Sequence, residues 1–245
     1  MPELNDWSLV GRRAGYVAGG GFVAQSVLWL LDSTGALTPE VRFQDTPAGF
    51  QEDLATYYVA LNERQHDVLW DIVVRDLIGP LAYVAVMVLV LALAHQVGRG
   101  KPRVELVLLL VVVGGASAAA SDVVYLSQAQ AWRGAFQPTP DIVGFGRAQE
   151  LLGYVVNYLQ YAGFVLLALA FGCLASWLLA HPGAYRWLAV LAAAESICLV
   201  TFVVTSVWPH DNVHLVAAAG AGIIVGPPVL VLLGRSAPGL ATPAG

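Results

Sequence analysis

The chain has 245 residues, 58% of them hydrophobic and 12% charged, with a mean hydropathy of +0.68. A soluble domain carries about one-quarter charged residues, so a water-soluble fold of this length could not hide so much apolar surface. The net charge of −5 is spread unevenly and leaves no basic patch, so nothing points to a nucleic-acid partner.

A membrane-spanning helix needs about 20 mostly apolar residues. The first such run, Ala14–Leu31, follows Arg12-Arg13 and so has the outline of a signal peptide. No small-x-small cleavage pattern follows it, and it is read as a retained helix. Residues 32–76 form a long acidic loop. In it, Thr38-Pro39 and Thr46-Pro47 each read as an N-cap followed by proline at the first helical position. After Pro47, the residues Phe50, Leu54, Tyr57 or Tyr58, and Leu61 recur at helical spacing, with Glu52, Asp53 and Glu63 between them. This predicts an amphipathic helix lying on the outer face, with Val68, Leu69 and Ile72 leading on into the second span.

The further spans are expected at Leu77–Gln96, Val104–Leu126, Leu151–Ala180, Tyr185–Trp208 and Val213–Leu233. Gln128–Arg147, which holds Pro138 and Pro140, is expected to be irregular. The fourth span is longer than a bilayer requires, so it should tilt or project beyond the outer face. Pro227-Pro228 should kink or end the last one. Lys and Arg set the orientation. Arg12, Arg13, Arg99, Lys101, Arg103, Arg186 and Arg235 fall on one side, while most of the acidic residues fall on the other. The basic side is the cytoplasmic one, and an even number of spans puts both termini there.

The fold class is therefore an all-α, polytopic membrane bundle of six transmembrane helices in a single domain, 1–245, with an external amphipathic helix between the first two. The composition, rich in Val, Ala, Leu and Gly with a single lysine, Lys101, points to a bacterial plasma membrane as the location. The lipid bilayer is the expected partner, and oligomers are open to it. Gly15/Gly19 and Gly222/Gly226 have the spacing that lets helix backbones approach closely, and Gly114–Ser117 forms a small face. Cys173 and Cys198 lie in apolar runs and read as small core residues. No internal repeat is visible.

Ionisable groups at membrane depth cost about 2.5–3.5 kcal/mol each on insertion scales. At about 1.5 Å per residue, Glu195 and Gln25 both come out roughly 15 Å from the cytoplasmic end of their spans. Gln160, entering from the other side, reaches nearly the same level. This layer reads either as a ligand or proton site, or as two glutamines hydrogen-bonding a protonated Glu195 to lock the bundle. Tyr83, Ser117, Asp122, Asn157 and Thr201 lie above it, so the polar residues would form a funnel narrowing inward if they face one another. The expected ligand-binding residues are Glu195, Gln25, Gln160, Asn157, Asp122 and Tyr83.

His210 and His214 are four residues apart, a spacing that places two imidazoles on one helical face. With Asp122, and His66 in the outer loop, they are the candidate ligands of a zinc ion whose bound water would make a hydrolase. Against this, Asp211 or Asn212 is a natural N-cap that would leave His210 outside the helix. His95 and His181 fit an axial haem pair poorly, because His181 precedes Pro182 in a turn.

The stretch from Asn157 to Leu199 combines a long apolar helix, a short turn and the segment Tyr185-Arg186-Trp187-Leu188-Ala189-Val190-Leu191. It resembles a group of uncharacterised six-helix bacterial membrane proteins, which also share the order of one helix, a long external segment, then five helices. The group has no established activity, so the resemblance implies topology and no site residue. The leading expectation is a non-catalytic protein that binds a small apolar or amphipathic ligand, or a partner, through the outward funnel. A metal-dependent membrane hydrolase and a proton-coupled transporter using Glu195 are the alternatives. The lack of a helix broken at mid-membrane counts against the transporter, and no catalytic residue is assigned.

Overall fold

A computed structural model describes residues 2–240 apart from 38, 40, 45, 48, 68, 98–100, 136–141, 181–184 and 209–210. The side chains of residues 2–5, 62, 65, 66, 69, 128–135, 142, 145, 211 and 237–240 also lie outside the description. The fold is all-α. Its helices are α1 (Pro2–Ser33), α2 (Phe50–Asp67), α3 (Leu69–Val97), α4 (Pro102–Ala135), α5 (Ile142–Leu179), α6 (Arg186–Val207), α7 (Asp211–Ala219) and α8 (Gly226–Leu240). A π-helical segment, Gly220–Ile224, joins α7 to α8. Among the described residues, six stretches are long and apolar enough to cross a bilayer: Asp6–Ser33, Trp70–Val97, Pro102–Ser127, Gly146–Leu179, Arg186–Val207 and Asn212–Ser236. Large apolar side chains such as Val17, Leu81, Leu109, Leu169, Val190 and Val216 are exposed on the outside of the bundle. Water would not tolerate such a surface, but lipid does.

The spans form a closed ring in chain order. Each packs on the next, and the last half-span, α8, packs back on α1. Among the described residues, the one other contact between spans joins α3 to α8. Glycine makes the closing seam possible. A Cβ on Gly15 would stand 2.6 Å from the carbonyl oxygen of Leu230, and one on Gly19 would stand 3.2 Å from that of Pro227. The Gly15/Gly19 spacing thus serves α1 against α8, where close backbone approach replaces a hydrophobic driving force that lipid cannot supply. Between α4 and α5, Gly114 and Gly163 face each other in the same way. Side-chain hydroxyls add cross-helix bonds, from Ser121 Oγ to the Val156 carbonyl at 2.9 Å and from Ser196 Oγ to the Ala168 carbonyl at 2.8 Å.

α5 has 38 residues, about 57 Å at 1.5 Å per residue, well beyond the roughly 30 Å hydrocarbon core. Its first turns project from one end of the ring, and α2 lies against them. Gly146 sits beside Ala55, and Arg147 Nε donates to Gln51 Oε1 at 3.0 Å. Phe43 packs on Phe50 and Tyr57 beneath this cap.

Three expectations need correction. Pro39 and residues 41–44 are not helical, so Thr38-Pro39 starts no helix, and Thr38 itself lies outside the described residues. The chain beyond it is instead held by Arg64 Nε, which donates to the Pro39 carbonyl at 3.0 Å. Pro47 is not the first residue of α2. The helix begins at Phe50, after Gly49 at φ 102°, and Asp53 reaches back to the Thr46 amide at 2.7 Å. Most of Gln128–Arg147 is helical, because α4 runs on to Ala135 and α5 starts at Ile142.

Candidate functional site

Inside the ring lies a cavity of about 330 Å³ bounded by all six spans. Helical periodicity builds its walls. Phe22, Gln25, Ser26 and Trp29 are the i, i+3, i+4 and i+7 positions of one face of α1. Asn157, Gln160, Phe164, Leu167 and Phe171 line it from α5 with alternating steps of three and four. Glu195, Leu199 and Phe202 do so from α6, and Tyr83 and Val86 from α3. The rings contact one another edge to face: Phe22 on Tyr83 at 5.0 Å and Phe164 on Phe202 at 5.4 Å.

All six residues singled out from the sequence, Glu195, Gln25, Gln160, Asn157, Asp122 and Tyr83, line this one cavity. Glu195 and Tyr83 are buried, whereas Asn157 is exposed at the rim. The expected lock of two glutamines on Glu195 is not what forms. Gln25 Nε2 donates instead to Asp122 Oδ2 at 3.0 Å. It can do so because Gly79 of α3 leaves its Cβ volume to these two side chains. Glu195 is 5% exposed, and its Oε2 has no hydrogen-bond partner.

Glu195 faces a break in the last span. Val225 donates to the Gly220 carbonyl at 2.7 Å, a π-type bond that inserts an extra residue into the turn. Pro227 and Pro228 have no N–H, so the carbonyls of Ile223 and Ile224, four residues before them, lose their helical donors. A Cβ on Gly226 would stand 3.0 Å from Glu195 Oε1 and would collide with the Ala221 carbonyl oxygen. The broken backbone and the buried carboxyl therefore occupy the same place. This corrects the expectation that no span is broken at mid-membrane.

By sequence alone, Asp71, Arg75 and Asp76 fall in the acidic loop. They are buried in the first turns of α3. Arg75 Nε donates to Asp76 Oδ1 at 3.0 Å, and its Nη1 lies 3.4 Å from Asp32 Oδ2. Arg64 of α2 reaches the other oxygen of Asp32 at 2.5 Å, while the Arg75 guanidinium stands over the Tyr125 ring at 5.6 Å. Asp32, Arg75, Asp76 and Tyr125 line the end of the cavity nearest α2. Their signal in the sequence was the i, i+4 pair Asp71/Arg75 directly ahead of an apolar run.

His214 is turned into α6. Its Nδ1 lies 3.2 Å from Thr205 Oγ1, and its ring meets those of Phe202 at 4.4 Å and Trp29 at 5.8 Å. Asp122, its proposed co-ligand, is engaged by Gln25. His210 and the side chain of His66 lie outside the described residues. Among the described residues, no three His, Cys, Asp or Glu side chains form a group that could hold a metal. His95 stacks on Trp7 at 4.1 Å, and His181 lies outside the described residues. Comparison of the chain with known protein families, with characterised proteins and with solved structures finds no match.

Proposed function

We propose that this chain is a multi-pass protein of the bacterial plasma membrane whose central cavity, open toward the outside, binds a small amphipathic ligand. The cavity carries the reading. Its volume of about 330 Å³ lies at the lower end of the ~300–1,000 Å³ typical of ligand sites. Its lining of aromatic rings interrupted by a few polar groups is what such sites use to bury an apolar body and fix its orientation. Orientation with both termini in the cytoplasm follows from the placement of Arg and Lys, and it puts the α2 cap and the mouth outside.

The reading is tested by thermal unfolding of the protein in lipid nanodiscs against a panel of small aromatic amphiphiles that spans cationic, neutral and anionic members. At least one member should raise the unfolding midpoint of the wild type and leave Ala218→Trp, which fills the cavity, unchanged. A panel in which none acts, or in which the filled variant responds equally, removes the reading.

A second reading, transport of the ligand, is supported by one observation: the last span is broken beside a buried carboxyl. Discontinuous helices at mid-membrane recur in secondary transporters, where freed carbonyls take part in binding. Uptake of a bound probe into proteoliposomes, driven by a pH gradient and absent in Glu195→Gln, is the expected result. Binding without uptake leaves only the first reading.

A further inference from the structure

The charges around the cavity do not balance. Among the described residues that line it, Asp32, Asp76, Asp122 and Glu195 are acidic and Arg75 is the one basic side chain. Arg75 is already committed, to Asp76 and Asp32. Asp32 also takes Arg64 from α2. No basic side chain is bonded to the two carboxyls further in. Asp122 has a neutral amide, Gln25, as its partner. Glu195 has an oxygen that is buried, unpartnered and part of the lining. An acid buried without a counter-charge is costly, and such acids are found at sites where a cation is bound or carried.

The cavity that these carboxyls line is also aromatic. Phe22, Tyr83, Phe164 and Phe202 stand around the same space, and the rings of Phe22 and Tyr83, and of Phe164 and Phe202, pack edge to face. A ring face attracts a cation through its quadrupole, more strongly where water is excluded. A bare metal ion would ask for several oxygens converging on one point. A lining in which carboxyls alternate with rings suits a charge that carries an apolar body. The break in the last span lies beside the same carboxyl, because the Ala221 carbonyl oxygen and Glu195 Oε1 both lie close to the bare side of Gly226.

We infer that the ligand of this cavity is a small organic cation, an alkyl- or arylammonium, whose charge is seated between Glu195 and Asp122 and whose body lies among Phe22, Tyr83, Phe164 and Phe202. The inference rests on the reading of the cavity as a ligand site and names its substrate class.

The test uses tritiated benzyltrimethylammonium on the full-length protein in nanodiscs, with scintillation-proximity detection. Its competitors are neopentylbenzene, which has the same shape without the charge, and phenylmethanesulfonate, which carries the opposite charge. Saturable binding is expected, displaced by neither competitor. Glu195→Gln, nearly isosteric, should weaken it by more than about thirtyfold, the fold-change expected when one partner of a buried charge pair is removed. The competition needs no variant, so it stands even if Glu195→Gln fails to fold. Displacement by neopentylbenzene at concentrations similar to the unlabelled cation, or unchanged binding in a folded Glu195→Gln, would overturn the cation while leaving the cavity as a ligand site. Failure of the cation to bind while neutral members of the amphiphile panel still stabilise the wild type does the same. If no probe of any charge acts, the ligand-site reading falls together with it.

Discussion

Gln25 Nε2 and Asp122 Oδ2 lie 3.0 Å apart and join α1 to α4, two spans whose backbones are not neighbours. The bond passes across Gly79 of α3, at the place where any side chain would stand. It crosses the ring rather than following it, and so ties together two spans that the order around the ring keeps apart.

Gly79→Ala should therefore break this bond as well as crowd it. A Cβ there collides with both Asp122 and Gln25, and overpacking of this kind costs about 1–3 kcal/mol. Gly153→Ala is the matched control, because nothing lies within 4 Å of its Cβ position. Thermal unfolding in nanodiscs should show a clear loss for the first and none for the second. Equal behaviour would mean that the crossing bond does not form.

Arg75 and Arg64 both reach Asp32, but from different surroundings. Arg75 is the more buried and also holds Asp76, close to Asp71, which is 0% exposed and has no hydrogen-bond partner on either oxygen. Removing one partner of a buried charge pair costs about 3–5 kcal/mol. Arg75→Ala should accordingly lower the unfolding midpoint far more than Arg64→Ala. Asp76→Asn combined with Arg75→Met should recover part of the loss, because the Asp76 carboxylate is then no longer stranded without its partner. A double variant no better than Arg75→Ala would show that the arginine acts through packing alone.

The break in the last span rests on missing donors at Pro227 and Pro228. Replacing both with alanine returns two N–H groups to the carbonyls of Ile223 and Ile224. Amide hydrogen exchange read by mass spectrometry should be faster over residues 220–226 of the wild type than over α6, and should slow in the double variant. The variant is expected to stay folded and to respond less to ligand, because its carbonyls turn back into the helix. Exchange that is equally slow in both proteins would place the origin of the break elsewhere.

Topology is open to direct test. In a background with Cys173 and Cys198 replaced by serine, a membrane-impermeant maleimide should label Thr56→Cys on α2 in intact cells. Lys101→Cys should label only after permeabilisation. Both positions are exposed. The reverse pattern would turn the protein over and make the cavity mouth cytoplasmic.

The spans were legible because a bilayer imposes length and apolarity segment by segment, and each of the six apolar runs became a helix. The amphipathic α2 was legible for the same kind of reason, as the spacing from Phe50 to Leu61 is local. Less visible was where helices overrun the apolar run. Asp71, Arg75 and Asp76 look like loop residues until Asp32 and Arg64, distant in sequence, arrive to pair with them. Depth alone brought Gln25, Gln160 and Glu195 to one level, but it could not choose partners. The choice of Asp122 by Gln25 depends on a glycine in a third helix. Pro227-Pro228 announced a break, and the glycines at 220 and 226 decided that it lies upstream and beside Glu195.

Because spatial order around the ring follows chain order, each wall can form as soon as two consecutive segments have entered the membrane, except the last. The slot between α1 and α8 closes only when the final segment docks onto Gly15 and Gly19. Until then the carboxyls of the interior face lipid through an open side. Closure of the ring thus depends on the segment that is synthesised last. A chain that ends before residue 226 lacks α8, and with it the wall that covers the α1 side of the cavity.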